Sequence, residues 1–392
     1  MEMTTETQRL EALAREWEWL QALSSSFKGP PKSEADLEKR KEHKLEVKQF
    51  LANLTAEQRN MLIPPKTKTT KASEKKKNTG NTAKPNNKGG APSKKRRDQR
   101  REAAQETLEV LNTGQYHTED GRLVSIEQDL QASVEGTRLY RPADPLEESL
   151  IRKATTFRGQ ACLEVHNETT FAGARALLQR NAARVCVLNF ASAKSPGGGF
   201  LNGAKAQEED LALRSGLYAC LSRGNGVADY YTENQTTRDG IYTHHMIYSP
   251  DVPVFREDGE VGRFLEVPCQ VSIITSPAPN ATVFQQKNTR VRSKKHVTKQ
   301  TNPPDDMPAE YWQIFQERIR HVLHVAIANG HSNLVLGAWG CGVFGNDPAK
   351  VAQLFATELQ AVAGHLEAVR FSIWAGDRVD DPNLVAFQRQ FA

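Results

Sequence analysis

From about residue 105 the chain alternates short apolar runs with stretches of helical period. The runs Ala161–Val165, Arg184–Phe190, Gln270–Thr275, Asn333–Trp339 and Arg370–Trp374 are apolar and of strand length. Between them, Thr170–Gln179, Glu208–Ser222, Ala309–Ala328 and Pro348–Ala363 space their apolar residues as helices do. Asp347 stands as N-cap and Pro348 as first helical residue of the last, and Gly330 stops the third. Strands separated by helices of this length predict a three-layer α/β/α domain with a mixed, largely parallel sheet. Ligands of such a sheet bind at the carboxyl ends of its strands. Two stretches containing proline, Tyr248–Arg256 and Thr275–Asn280, read as rigid loops near the sheet edge.

The pattern divides the chain in three. Residues 1–65 predict a small helical module, with helices over Glu6–Leu23 and Glu34–Leu54 and a third capped by Thr55. Residues 66–100 hold 13 Lys and Arg against two acids, with prolines, glycines and no aromatic. Such a segment buries too little apolar surface to offset its ordering entropy, and reads as a disordered basic linker. A polyanionic partner and a solvated spacer both account for it; Lys94–Arg97 also has the composition of a nuclear import signal. Residues 101–392 form the α/β domain, with Lys287–Lys299 as an exposed basic insertion.

Composition narrows the class. The chain has 392 residues, 38% hydrophobic and 25% charged, enough to bury a sizeable core. No apolar run approaches membrane-spanning length, and the polar start Met1–Arg9 predicts no signal peptide. Five scattered cysteines without a C-x-x-C pair argue against a disulfide framework or structural zinc, and fit a reducing, intracellular compartment, cytoplasmic or nuclear. The net charge of +5 hides a basic first hundred residues and an acidic remainder.

The candidate chemistry lies just after predicted strands. Gly197-Gly198-Gly199 lets backbone approach a ligand and present N–H groups to an anion; the alternative is a flexible connection. Gln207-Glu208-Glu209 follows at a helix start, where acids are favoured by the macrodipole alone. Adjacent helical residues point about 100° apart, so the two carboxylates cannot act as a symmetric pair on one atom. Gly340-Cys341-Gly342-Val343-Phe344-Gly345 matches the G-x-G-x-x-G fingerprint, and its strand–turn–helix setting suggests a diphosphate site. Phe344 is a candidate to stack on or shape a ribose, or else a core plug; Cys341 reads as a small packing residue. His244 and His245 could be ligands only if a further donor converged on them, and His321 and His324 read as surface or packing residues.

Together these segments resemble the microbial-type poly(ADP-ribose) glycohydrolases, a branch of the macrodomain superfamily. The signature is the triple glycine followed by Gln207-Glu208-Glu209. Blocks at Ala104–Leu108, Asn167–Thr170, Leu188–Ala191, Tyr248–Arg256 and Gly337–Asp347 follow in the family's order. The resemblance implies a macrodomain-like fold, Glu209 as catalytic carboxylate and Glu208 as its positioning or ribose-contacting neighbour. It places Asn189, Ser192 and Gln207 at the substrate, and Gly197–Gly199 and Gly340–Phe344 as loops around the diphosphate and distal ribose. It implies cleavage of ribose–ribose bonds without metal or cofactor, by a monomer acting on poly(ADP-ribose) or ADP-ribosylated proteins. Nucleic acid is a further candidate partner of the linker. The alternatives are a non-catalytic ADP-ribose reader, a mono-ADP-ribosyl-protein hydrolase and an NAD-dependent oxidoreductase built on Gly340–Gly345.

Overall fold

The computed structural model describes residues 94–142, 144, 161–180, 184–293 and 307–391. The expected helical module and the linker as far as residue 93 lie outside them. In chain order the helices are α1 (Lys94–Thr113), α2 (Glu127–Gly136), α3 (Thr170–Gln179), α4 (Gln207–Arg214) and α5 (Leu217–Arg223). They continue as α6 (Val227–Thr236), α7 (Ala281–Ser293), α8 (Ala309–Ala328), α9 (Pro348–Ala361) and α10 (Pro382–Phe391). The strands are β1 (Gln115–His117), β2 (Leu123–Ser125), β3 (Arg138–Tyr140), β4 (Cys162–His166) and β5 (Val185–Phe190). After them come β6 (Met246–Arg256), β7 (Phe264–Ser276), β8 (Asn333–Leu336) and β9 (Ala368–Ser372).

Seven strands form one sheet in the order β3-β6-β7-β5-β8-β9-β4. The run from β7 to β4 is parallel, whereas β3 and β6 are antiparallel additions at one edge. The pleat of β5 explains the layers. Cys186 and Leu188 face a core built with Phe315, Val322, Phe355 and Phe387 of α8, α9 and α10. Val185 and Val187 face the opposite core, with Phe171, Leu211, Leu217 and Tyr230 of α3 to α6. The three-layer expectation holds. Helix α1 lies outside the second layer, packing Ala103 and Ala104 on Phe200, Ala212 and Leu213.

Four expectations change. Tyr248–Arg256 is not a loop but most of β6, which pairs with β3 only over Met246–Tyr248. Beyond Tyr248 that edge is free of β3, so Pro250 and Pro253 cost no ladder bond there, and a register shift absorbs Pro250 and Asp251. The helix expected over Glu208–Ser222 breaks at Ser215 and Gly216. Ser215 is extended and bridges to Val254, and the Gly216 N–H donates to the Pro253 carbonyl, so β6 draws the chain out of helix. Helix α1 begins at Lys94, within the stretch expected to be linker. Helix α7 runs to Ser293, into the expected basic insertion, the rest of which lies outside the described residues. Among the described residues no helix is long and apolar enough to cross a membrane.

Candidate active site

The carboxyl edge of the parallel strands brings the predicted segments together. The chain leaves β5 at Asn189, which is fully buried and donates to Thr275 Oγ1 of β7 at 3.1 Å and to Glu208 Oε1 at 3.4 Å. The Asn189 side-chain oxygen Oδ1 has no protein partner. Ser192 folds its hydroxyl back on the Lys194 and Ser195 N–H groups, a turn that aims its own N–H at Glu208 Oε2, 2.6 Å away. Gly197 and Gly198 take φ of 63° and 58°, the left-handed region that favours glycine. A side chain at Gly198 would strike both Glu208 and Glu209. The Gly199 N–H donates to Glu209 Oε1 at 2.8 Å.

Gln207 fixes this helix start to the sheet. Its amide nitrogen donates to the Leu188 carbonyl at 2.8 Å and to Thr170 Oγ1 at 3.1 Å, and its oxygen accepts from the Phe190 N–H at 2.8 Å. The two carboxyls beyond it therefore start from a frame tied to β5. Glu208 is 3% exposed, and Glu209 is half-buried. Burial pushes the Glu208 carboxyl up to about 8; the Ser192 N–H lowers it and the neighbouring Glu209 raises it further. The inner acid accordingly holds its proton at neutral pH.

The second loop is clamped from below. Asn346, almost fully buried, donates to the Pro279 and Gly340 carbonyls at 2.8 and 2.9 Å and accepts from Tyr311 Oη at 2.6 Å. Gly340 has φ of 74°, with Ala278 and Asn346 where a side chain would stand. The clamp presents Gly342 and the 90% exposed Val343 outward, with Phe344 half-buried behind them. The Phe344 ring lies 6.2 Å from that of Tyr242. Burial raises the Cys341 thiol, consistent with a packing role and not with a nucleophile. The α9 N-terminus is already occupied: Asp347 accepts from the Lys350 N–H at 2.7 Å. A carboxylate in that position opposes a diphosphate seated on the helix end, which removes the main support for the nicotinamide-enzyme alternative.

Two groups escaped the sequence reading. Trp374, 63% exposed, follows β9 at the same carboxyl edge, in a turn that Asn167 holds through the Gly376 carbonyl and the Ala375 N–H. Its signal was an aromatic ending a strand before Ala-Gly-Asp, but an apolar run alone assigns it to the strand. Tyr242 has φ of 59°, and Arg318, fully buried, donates to the Tyr242, Ile241 and Pro277 carbonyls. Neither pattern nor spacing announces that bracket. His244 and His321 meet edge to face at 5.2 Å, and His324 lines the same cleft. Burial and the adjacent Arg318 push His244 down to about 3, and no group of donors among the described residues could hold a metal ion.

Paired, unequal carboxyls between two glycine loops at a sheet's carboxyl edge define a macrodomain-type enzyme. The family of the microbial-type PARG catalytic domain matches residues 104–257. The poly(ADP-ribose) glycohydrolase from Thermomonospora curvata bound to the inhibitor ADP-HPD is 42% identical, with a TM-score of 0.61 over 75% of this chain and 100% of that one. The Deinococcus radiodurans poly(ADP-ribose) glycohydrolase in complex with ADP-ribose is 42% identical, with a TM-score of 0.57 over 67% of this chain and 96% of that one. No match is found among curated proteins. The chain belongs to the microbial-type poly(ADP-ribose) glycohydrolases.

Proposed function

We propose that the chain hydrolyses the ribose–ribose O-glycosidic bonds of poly(ADP-ribose) to release ADP-ribose, with Glu209 as the acid at the leaving oxygen. The observation that carries this is the convergence of two carboxyls of unequal burial on Gly198, where neither tolerates a side chain. Glycosidic cleavage passes through an oxocarbenium-like state and needs a proton on the departing oxygen. Glu209, the outer member, gives that proton as the C1–O bond breaks. Water then adds to the ribose carbon and returns a proton to Glu209, so the carboxyl is regenerated. A positioned acid contributes on the order of 10²–10⁴ in rate.

The remaining residues hold the sugar. Glu208 and the unpartnered Asn189 oxygen take ribose hydroxyls, beside Ser192. The Gly340–Phe344 loop flanks the diphosphate with backbone N–H groups, and Phe344 backs the distal ribose. Gly197–Gly199 close over the carboxyls, with the Gly198 and Gly199 N–H groups donating to the Ser195 carbonyl and Glu209. Gln207, its amide engaged by β5 and Thr170, is a positioning residue. Trp374 offers the base a stacking face at the opposite end of the site.

The test compares ADP-ribose release from poly(ADP-ribose) by the wild type and Glu209→Gln, with ADP-ribose binding followed by calorimetry. Release should fall at least a hundredfold while binding persists. Binding without release by the wild type would make the protein a reader.

A further inference from the structure

Helix α1 carries a run of cations. Over the described residues it opens Lys94-Lys95-Arg96-Arg97, with no acid among the four. Arg100 and Arg101 continue the series, with Asp98 and Glu102 as the only acids as far as residue 102. Lys95, Arg96, Arg97 and Arg101 are exposed, and Arg101 meets Asp98 only loosely, at 3.8 Å.

The position of this face gives it meaning. Arg97 Nε donates to the Asn202 carbonyl at 2.9 Å, and the buried Arg100 donates to the Ala204 carbonyl at 3.2 Å. Gly203, at φ of 68°, has the Arg97 carbonyl where a side chain would stand. From there the path to the chemistry is one 3-10 turn: the Asn202 N–H donates to the Gly199 carbonyl, and the Gly199 N–H donates to Glu209. The basic turns of α1 thus sit against the outer side of the loop that holds the acid.

We propose that this face docks the part of a poly(ADP-ribose) chain lying beyond the bond being cut. The inference rests on the glycohydrolase reading above. The unit being released fills the space between the two glycine loops, so the rest of the polymer leaves past Glu209. Each further repeat brings a diphosphate, and Lys95, Arg96 and Arg101 present exposed cations beside that loop. Arg97 and Arg100 anchor the helix to the loop. Charge complementarity and continuity with the acid favour the polymer over a nucleic acid, which would have no reason to meet the site at this edge.

The experiment uses the full chain with Lys95→Gln, Arg96→Gln and Arg101→Gln together, leaving Arg97 and Arg100 intact. Cleavage of an ADP-ribose dimer and of long poly(ADP-ribose) is measured across salt concentrations, with binding of a labelled DNA duplex alongside. At low salt kcat/KM on long chains should fall about tenfold, with the dimer unaffected. The log–log salt slope on long chains should become shallower by about 2, as three cations are removed. Unchanged cleavage of long chains, or an equal loss on both substrates, would overturn the proposal. So would a loss of DNA binding alone, which would assign the face to nucleic acid. A wild type that cleaves neither substrate would overturn the glycohydrolase reading itself, and this surface's role with it.

Discussion

Glu208 lies sealed beneath the glycine turn, accepting the Ser192 N–H, while Glu209, its neighbour in the helix, is half-buried against Gly199. Sequence places them side by side; only burial makes one a neutral acid and the other the reachable group. With its pKa raised to about 8, chiefly by burial, Glu208 holds its proton at neutral pH and loses it as pH rises through that value. Ionised, Glu208 would set an uncompensated buried charge in the ribose pocket, so kcat/KM on poly(ADP-ribose) should fall above about pH 8. A pH–rate profile flat to about pH 10 would separate the Glu208 proton from the chemistry. The carboxyls themselves were legible from the Gln-Glu-Glu run. Their division of labour was not, because it depends on how Ser192, Asn189 and Gly197 enclose one side chain and leave the other half open.

At the scale of elements, α3 and α8 follow the expected bounds, since their apolar spacing and end signals agree. Strand β6 and the break between α4 and α5 did not follow. Both errors have one origin: beyond Tyr248 the β6 edge is left by β3 and taken up in part by Ser215 and Gly216, and local sequence does not reveal which edge is left open. The second glycine loop shows the same dependence on distant partners, because Asn346 holds it through Gly340, Pro279 and Tyr311. Asn346→Ala takes their partner from the Pro279 carbonyl and the Tyr311 hydroxyl, at about 1–3 kcal/mol for an unsatisfied group, while the Gly340 carbonyl keeps the backbone N–H of residue 346. It should lower the melting temperature and weaken ADP-ribose binding about tenfold, measured by thermal melting and calorimetry. Unchanged binding would mean that the loop keeps its shape without the clamp.

Across the whole molecule, the strand order sets the direction of the site. Trp374 leaves β9 beside the outermost parallel strand, the carboxyls and first loop stand over β5, and Tyr242 precedes β6 on the far side. A ligand with a base at one end and a reacting ribose at the other matches that span. Trp374→Ala should weaken ADP-ribose binding about tenfold to a hundredfold, the worth of one stacked base, and change kcat at saturating polymer far less. Calorimetry with ADP-ribose and with ribose 5-phosphate checks this, since only the ligand bearing the base should respond. Helix α1 also bears on where the catalytic unit begins. The family match starts at residue 104, past Arg97, Arg100 and Ala103, yet those three brace the Phe200–Ala204 segment and its packing. A fragment that begins at the family boundary keeps Glu208, Glu209 and both glycine loops and discards the splint behind the loop that holds Glu209, so the working enzyme is larger than its chemistry.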